Sequence, residues 1–562
     1  MTKPTATATA TAPRPLSRAL RAAVLTAFTL SGAASLVYEV AWTRELSVLF
    51  GSTVYAVSTM LAAFMGGLAL GSAIGGRIAD TYESRLVDWL GGIEYGIGAF
   101  GLLSVWLIRG VLPPLFYSAA RGGAGAFFAA EVGLSLVVML VPTTMMGTTL
   151  PVVSKLLVRG YGDVGREVGF ANSANTLGSL AGSLAAGFLL IPLLGVRGAI
   201  LAAAGLNLAA GTWLLLAGGR GRGRAGAVLG GIVGFAVIAA SAWAADRLPP
   251  SPVIMSRYPT YAEYTRAMDS FATIFDREGA YSRVTVLEAS GTAGGAPVRM
   301  LRNGGFVEGS DSAEDVGTTG LLAALPRAYA PEARSALVIG LGTGYTALRM
   351  LTYEIDSVDT VEINPDVDDA ARSFVGGTLH ADPRWRLVVG DARTHVAASP
   401  GSYDVVTSEP SWPLATSSAQ LFTREFFASA DASLQDGGVF VQWLPGYLLT
   451  DRDFLVMYKT FSQVFPDNTV WGMVDPNVKV GAADVFLVGF KGARRGTDDE
   501  ARAFVRDYLT SVGLPADRAR EMENVSEFAA RVQRDDIAVN TDDRPVFEFA
   551  VARNAVAALA AR

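Results

Sequence analysis

Along the first 245 or so residues, apolar positions run on with few charges; beyond them, short apolar or alternating stretches are separated by charged turns. Seven stretches in the first part approach the roughly 20 apolar residues that a bilayer core requires of a helix. They are Ala22–Val40, Val54–Gly76, Val87–Ile108, Ala126–Met146, Val168–Ile191, Gly195–Leu216 and Gly226–Ala245. The pattern predicts a multi-span α-helical membrane domain over 22–246, a disordered N-terminal tail over 1–21 and a linker over 247–279 marked by Pro249, Pro250 and Pro252. Arg18 and Arg21 before an apolar run imitate a signal peptide, but the run leads into further spans with no clear cleavage site, so the first helix is read as retained. "FMGGLALGSAIGG" and "NSANTLGSLAGSLAAG" carry small residues four apart, the spacing that lets helices approach closely in lipid. Such glycines serve tight packing or a transport path.

After the linker the period changes. "YSRVTVLEA" and "PVRMLRNGGFVEG" alternate apolar and polar residues around glycine turns and predict a small β-sheet within 280–330. From 331 to 562, "SALVIG", "VDTVEI", "WRLVVG", "YDVVTS", "GGVFVQW" and "DVFLVGF" read as strands separated by helical segments. That alternation predicts an α/β, Rossmann-like doubly wound sheet.

Composition sharpens this division. Apolar residues make up 51% of the chain and charged residues 17%, too few charges for an ordinary soluble enzyme of 562 residues. There is no cysteine, which excludes disulfides, thiolate metal sites and thiol nucleophiles. A net charge of −6 offers no nucleic-acid surface. The two histidines, His380 and His395, match no metal motif, and no metal is expected. Intramembrane acids are costly and face protein or water. Glu39, Glu94 and Glu131 fall in or beside the spans, with Arg44 and Trp42 close to Glu39 as ion-pair partner or interfacial anchor. The basic residues gather on the N-terminal side of the spans, which the positive-inside rule places in the cytoplasm. Seven spans then send the second half outside. A nucleotide-type ligand argues instead for a cytoplasmic soluble domain on a bacterial inner-membrane protein.

The chemistry centres on "GLGTG". Gly340, Gly342 and Gly344 end the first strand of the sheet and open a helix, where backbone can approach a ligand closely. Glu362 ends the next strand and can accept hydrogen bonds from ribose hydroxyls. Asp391 and Ala392 follow the third strand and would lie along an adenine edge; Glu409 follows the fourth. Open α/β sheets place ligands at these carboxyl ends.

"EGAYSRVTVLE", "LRNGGFVEGS", "ALVIGLGTG", "VEIN", "VVGDAR", "YDVVTSEPSWP", "LFTREFF", "GGVFVQWLP" and "NTDDRPVFEF" together resemble the spermidine synthase (polyamine aminopropyltransferase) family over most of Glu278–Phe549. "LSGAASLVYEVAWTREL" is similar to the bacterial branch that joins this domain to several membrane helices. The resemblance implies a fold like that of S-adenosylmethionine-dependent methyltransferases, S-adenosylmethionine or its decarboxylated form as substrate and 5′-methylthioadenosine as product. It also implies a homodimer. By resemblance Glu362 holds ribose, Asp391 holds adenine, and the three glycines line the sugar and the methionine-derived part. Glu409 and Asp315 are the candidate catalytic acids, with Gln442 and Trp412 as substrate contacts; Asp311 and Trp443 are weaker candidates.

Two departures stand out. Val406 occupies the place of an acid expected before Glu409, and Thr318 and Thr319 replace a Tyr-His pair. These changes predict an altered acceptor site, with intramolecular cyclisation as one outcome. Methyl transfer on the same fold and a ligand-binding transporter or sensor are the alternatives.

Overall fold

The computed structural model describes residues 16–51, 53–158, 160–218, 222–244, 260–289, 297–411, 416–473, 484–522, 525–534, 536–550 and 553–554. The chain forms two compact units. One comprises Met1–Leu46, Ser58–Leu112 and Val132–Pro250; the other comprises Ser47–Val57, Pro113–Glu131 and Ser251–Arg562.

Long helices account for the apolar part: α1 (Arg18–Phe50), α2 (Val54–Thr81), α3 (Leu86–Trp106), α4 (Leu112–Ala120), α5 (Ala124–Leu157), α6 (Val164–Ala185), α7 (Ile191–Gly218) and α8 (Arg222–Ala244). Among the described residues, five helical stretches are long and apolar enough to cross a membrane, and Gly226–Ser241 is a shorter apolar helix. This count differs from the seven expected because Tyr161–Gly218 is one helical stretch, interrupted where Gly195 takes φ 71° and ψ 169°.

The small residues act in packing. A Cβ on Gly71 would lie 2.0 Å from the Thr144 carbonyl oxygen, and one on Gly75 2.6 Å from that of Thr148, so α2 lies backbone to backbone on α5. Gly178 and Gly182 of α6 meet Thr29 and Ala33 of α1 in the same way, at 2.0 and 2.1 Å. Contacts this close are what small residues permit between helices in lipid. Some polar groups between the helices are paired: Asn207 donates to Glu94 at 2.6 Å and Arg109 to Glu45 at 3.0 Å. Trp42 is fully buried and donates to Ser104, which rules out an interfacial anchor.

In the second unit, α9 (Tyr261–Met268) precedes a four-stranded antiparallel meander: β1 (Phe271–Glu278), β2 (Arg283–Ala289), β3 (Val298–Asn303) and β4 (Phe306–Ser310). Both α9 and β1 fall within the stretch expected to be a linker. β1 is mostly exposed and is held by backbone pairing with β2, from Phe271↔Ala289 to Glu278↔Arg283, so its composition does not announce it. Gly304 and Gly305, at φ 57° and 90°, make the tight turn into β4. Two successive left-handed residues are the geometry of a two-residue hairpin.

The larger sheet contains β5 (Ser335–Ile339), β6 (Ser357–Glu362), β7 (Trp385–Val389), β8 (Tyr403–Ser408), β9 (Leu434–Leu444), β10 (Asn468–Met473), β11 (Val485–Phe490) and β12 (Ala519–Glu521). Their order is β12-β10-β11-β9-β8-β5-β6-β7. β5 to β9 run parallel, whereas β11 is antiparallel to β9 and to β10. The architecture is therefore a Rossmann-type α/β fold with a mixed sheet. β10 and β12 add to the six strands expected from the sequence. Apolar cores lie on both faces: Val338, Val405 and Val441 belong to one, and Leu337, Val406 and Phe440 to the other. The helices that bear on the site are α10 (Ala313–Tyr329), α11 (Tyr345–Met350), α12 (Pro365–Val375), α13 (Thr378–Ala381) and α14 (Ala392–Ala397).

Candidate active site

Parallel pairing sets the site's floor. Ile339 lies opposite both Val361 and Ser408, Glu362 opposite Val389, and Ser408 opposite Gln442. The next residues on these strands, Gly340, Glu409 and Trp443, therefore emerge along one edge with Glu362 and Gly390. Gly340, Gly342 and Gly344 have φ of 88°, 50° and 84°, a conformation that L side chains rarely adopt. A Cβ on Gly340 would stand 2.6 Å from the Glu409 carbonyl oxygen. Gly344 then caps α11, as the glycine pattern predicts.

Glu362 is held before any ligand arrives. One carboxylate oxygen accepts the Leu341 N–H at 3.0 Å and the other the Asn364 N–H at 2.9 Å. Burial raises its pKa, opposed by these backbone donors. Each oxygen keeps a lone pair for a further donor. Asn364 caps α12 and donates to Ser282, tying this loop to the small sheet. Asp391 caps α14: one oxygen accepts the Thr394 N–H and hydroxyl, both at 2.7 Å, and the residue is exposed. Ala392 is buried beneath it. Arg393 pairs with Asp542, which accounts for part of the C-terminal "NTDDRP" motif.

Beyond the glycine loop, Glu409 after β8 is acted on by three further carboxyls: Glu308 on β4, Asp315 on α10 and Asp484 before β11. Burial pushes Glu409 up to about 8; Asp484, Glu308 and Asp315 add repulsion, while the Thr346 hydroxyl, donating at 3.2 Å, opposes it. Burial pushes Glu308 to about 8 as well, with the Ser411 hydroxyl opposing and Glu362 adding. Asp484 rises to about 6 by burial, held down by the Trp443 indole N–H at 3.0 Å and the Thr318 hydroxyl at 3.2 Å. Asp315 is raised too, and Ser310 donates to it. Tyr447 sits close enough that all four raise it beyond the effect of burial. Burial outweighs the hydroxyl and indole donors on these carboxyls, so their ionised forms are disfavoured until a cation joins them. Among the described residues, no three His, Asp or Glu side chains are placed to hold a metal ion.

Some expected residues sit elsewhere. Gln442 is fully buried: its amide donates to the Trp443 carbonyl at 3.0 Å and its Oε1 has no partner among the described residues. Asp311 accepts the Arg299 N–H and ties the end of β4 to the start of β3, at the end of the hairpin away from its turn. Val406 is a core residue of β8, so an acid at that position would be buried in hydrocarbon. Thr318 orients Asp484, whereas Thr319 donates back into its own helix. Trp412 lies outside the described residues. His395 binds Tyr403 at 2.9 Å and His380 binds Asp368, both within surface-side networks. The sequence reading missed Glu308, Asp484 and Tyr447. Asp484 had one signal: it begins a strand, and only the antiparallel direction of β11 brings a strand's first residue to this edge.

Comparison with known proteins agrees with the fold and the motifs. The model of the spermine/spermidine synthase domain matches residues 316–477. A polyamine aminopropyltransferase of Mycobacterium tuberculosis is 29% identical over 444 residues, covering 75% of this chain and 77% of its own length. One from Corynebacterium efficiens is 26% identical over 449 residues, covering 76% and 78%. Putrescine N-methyltransferase 3 of Nicotiana tabacum is 33% identical over 163 residues, covering 28% of this chain and 38% of its own. With its glycine loop, strand-end acids and ordered motifs, the chain carries a stretch that matches the spermine/spermidine synthase domain and is similar over about three quarters of its length to polyamine aminopropyltransferases, which are enzymes.

Proposed function

We propose that the protein is a membrane-bound aminopropyltransferase that takes an aminopropyl group from decarboxylated S-adenosylmethionine, passes it to a separate polycationic amine and releases 5′-methylthioadenosine. The observation that carries this reading is Glu409, its charge disfavoured by burial and by Asp484, Glu308 and Asp315 around it, beside a nucleoside-type loop. A diamine bears two ammonium groups, and such a site gains its missing counter-charge when one enters.

On this reading Glu362, with two free lone pairs, takes the ribose hydroxyls, and the exposed carboxylate oxygen of Asp391 takes the adenine amino group. The φ-positive glycines admit the sulfonium end without side-chain obstruction. Glu409, nearest the glycine loop through Thr346, is the base that keeps the attacking amine unprotonated. Asp315, Glu308 and Asp484 hold the remaining charge, with Gln442 behind them as a supporting polar group. The amine lone pair attacks the carbon beside sulfur, the carbon–sulfur bond breaks, its electrons neutralise the sulfonium, and the amine proton passes to Glu409. Alignment of nucleophile and carbon supplies the rate, because the leaving group is already cationic.

The acid set favours an external acceptor over intramolecular cyclisation. The stretch of likeness to a putrescine N-methyltransferase keeps methyl transfer as the second reading. The apolar helices support an inner-membrane location with the enzyme domain in the cytoplasm, and a homodimer is expected from the family. The test is product analysis of purified protein supplied with S-adenosylmethionine or its decarboxylated form, with and without putrescine. Amine-dependent methylthioadenosine supports the proposal. Methylthioadenosine without amine would indicate cyclisation, and S-adenosylhomocysteine would indicate methyl transfer. No product with any combination would leave a binding or transport role.

A further inference from the structure

Between α2, α3 and α5, the helical unit contains a groove of about 670 Å³. Its length is apolar, lined by Ile74, Ile78, Ile93 and Met145, and Gly92 leaves open space where a side chain would stand. Thr144 and Thr148 also line it, but their hydroxyls bond back to Leu140 and Met145 of their own helix, each at 2.6 Å, and place no polar demand on an occupant. At the connection between α2 and α3 the lining becomes polar: Tyr82 and Trp89 pack at 5.1 Å between ring centroids, beside Arg85 and Asp88. An aromatic pair of this kind sits at headgroup level.

The two charges lack local explanations of equal weight. Asp88 lies in the first turn of α3, where a carboxylate favours the helix dipole. Arg85, at the N-cap of the same helix, opposes that dipole. Both are exposed, and neither side chain makes a hydrogen bond or ion pair with another described residue. By contrast, Lys155 and Asp80 pair at 3.1 Å across the same two helices, α5 and α2. A cation held against a helix N-terminus at the mouth of an apolar groove fits an anion with a hydrocarbon tail. The carboxylate three residues on, a neighbour on the helix surface, fits a cation adjacent to that anion.

We infer that this groove binds a phospholipid with a primary-amine headgroup: phosphodiester on Arg85, ammonium on Asp88, and one acyl chain along Ile74, Ile78, Ile93 and Met145. Basic pockets between membrane helices recognise lipid headgroups by the same chemistry. The test is native mass spectrometry of the delipidated full chain in detergent, offered equal amounts of phosphatidylethanolamine, phosphatidylglycerol and phosphatidylcholine with matched chains. We expect phosphatidylethanolamine to be retained about tenfold over the other two, Arg85→Ala to reduce its retention about tenfold, and Asp88→Asn to abolish the preference over phosphatidylglycerol. Both substituted positions are exposed, so neither substitution disturbs the buried packing of the helices; Gly92→Leu, which fills the groove, should displace the lipid. Equal retention of all three lipids, preference for phosphatidylglycerol, or unchanged retention in Arg85→Ala would overturn the inference.

Discussion

Replacing Glu409 with Gln tests the acid set directly through stability. In the folded protein Glu409 titrates near 8 because burial and its carboxyl neighbours disfavour the charge. In the unfolded chain a glutamate titrates near 4.3. Between these values the native state binds a proton that the unfolded state has lost, so native stability falls as pH rises and levels off above about 8. At about 1.4 kcal/mol per pH unit the shift has a ceiling of about 5 kcal/mol. Glu409 is partly buried and coupled to Glu308, Asp315 and Asp484, and screening with shared protons brings the expected loss to about 2 kcal/mol. Melting of the full chain in detergent, followed across about pH 5 to 9, should show wild-type stability declining. Saturating putrescine should restore much of it at the alkaline end by supplying the counter-charge. Glu409→Gln should flatten the decline, melt higher than wild type in alkali and respond weakly to putrescine. A wild-type profile flat with pH, or a Gln variant as pH-sensitive and as amine-responsive as wild type, would refute the idea that these carboxyls form an unsatisfied cation site.

Glu362→Gln keeps the shape but removes the charge from two prospective ribose hydrogen bonds; calorimetry with methylthioadenosine should show affinity reduced by about 2 kcal/mol. Thr318→Val frees one oxygen of Asp484, and steady-state kinetics should show a several-fold higher KM for the amine with the KM for the sulfonium donor unchanged. Gly340→Ala forces a left-handed alanine against the Glu409 carbonyl and should cost about 1–3 kcal/mol, read as earlier thermal unfolding together with weakened nucleoside binding.

Much of the nucleoside half was legible in the residues. Glycines at 340, 342 and 344, a carboxylate at the end of β6 and Asp391 after β7 follow one another at strand ends, and strand–helix alternation alone brings consecutive strand ends close together. The apolar helices were equally legible, since length and hydropathy suffice to find them. What the sequence left hidden depends on strand direction and long-range pairing. β11 runs against β9, which carries Asp484 to the ligand edge; β4 hands Glu308 to the same place from a separate sheet. Val406 seemed to mark a missing acid, yet its β8 position faces the core, and the charge enters from elsewhere in space. Periodicity reports which face a side chain takes within its own element. Only the packed tertiary structure decides which charges from distant elements share one low-dielectric space, and therefore which carboxyls are raised and await a cation.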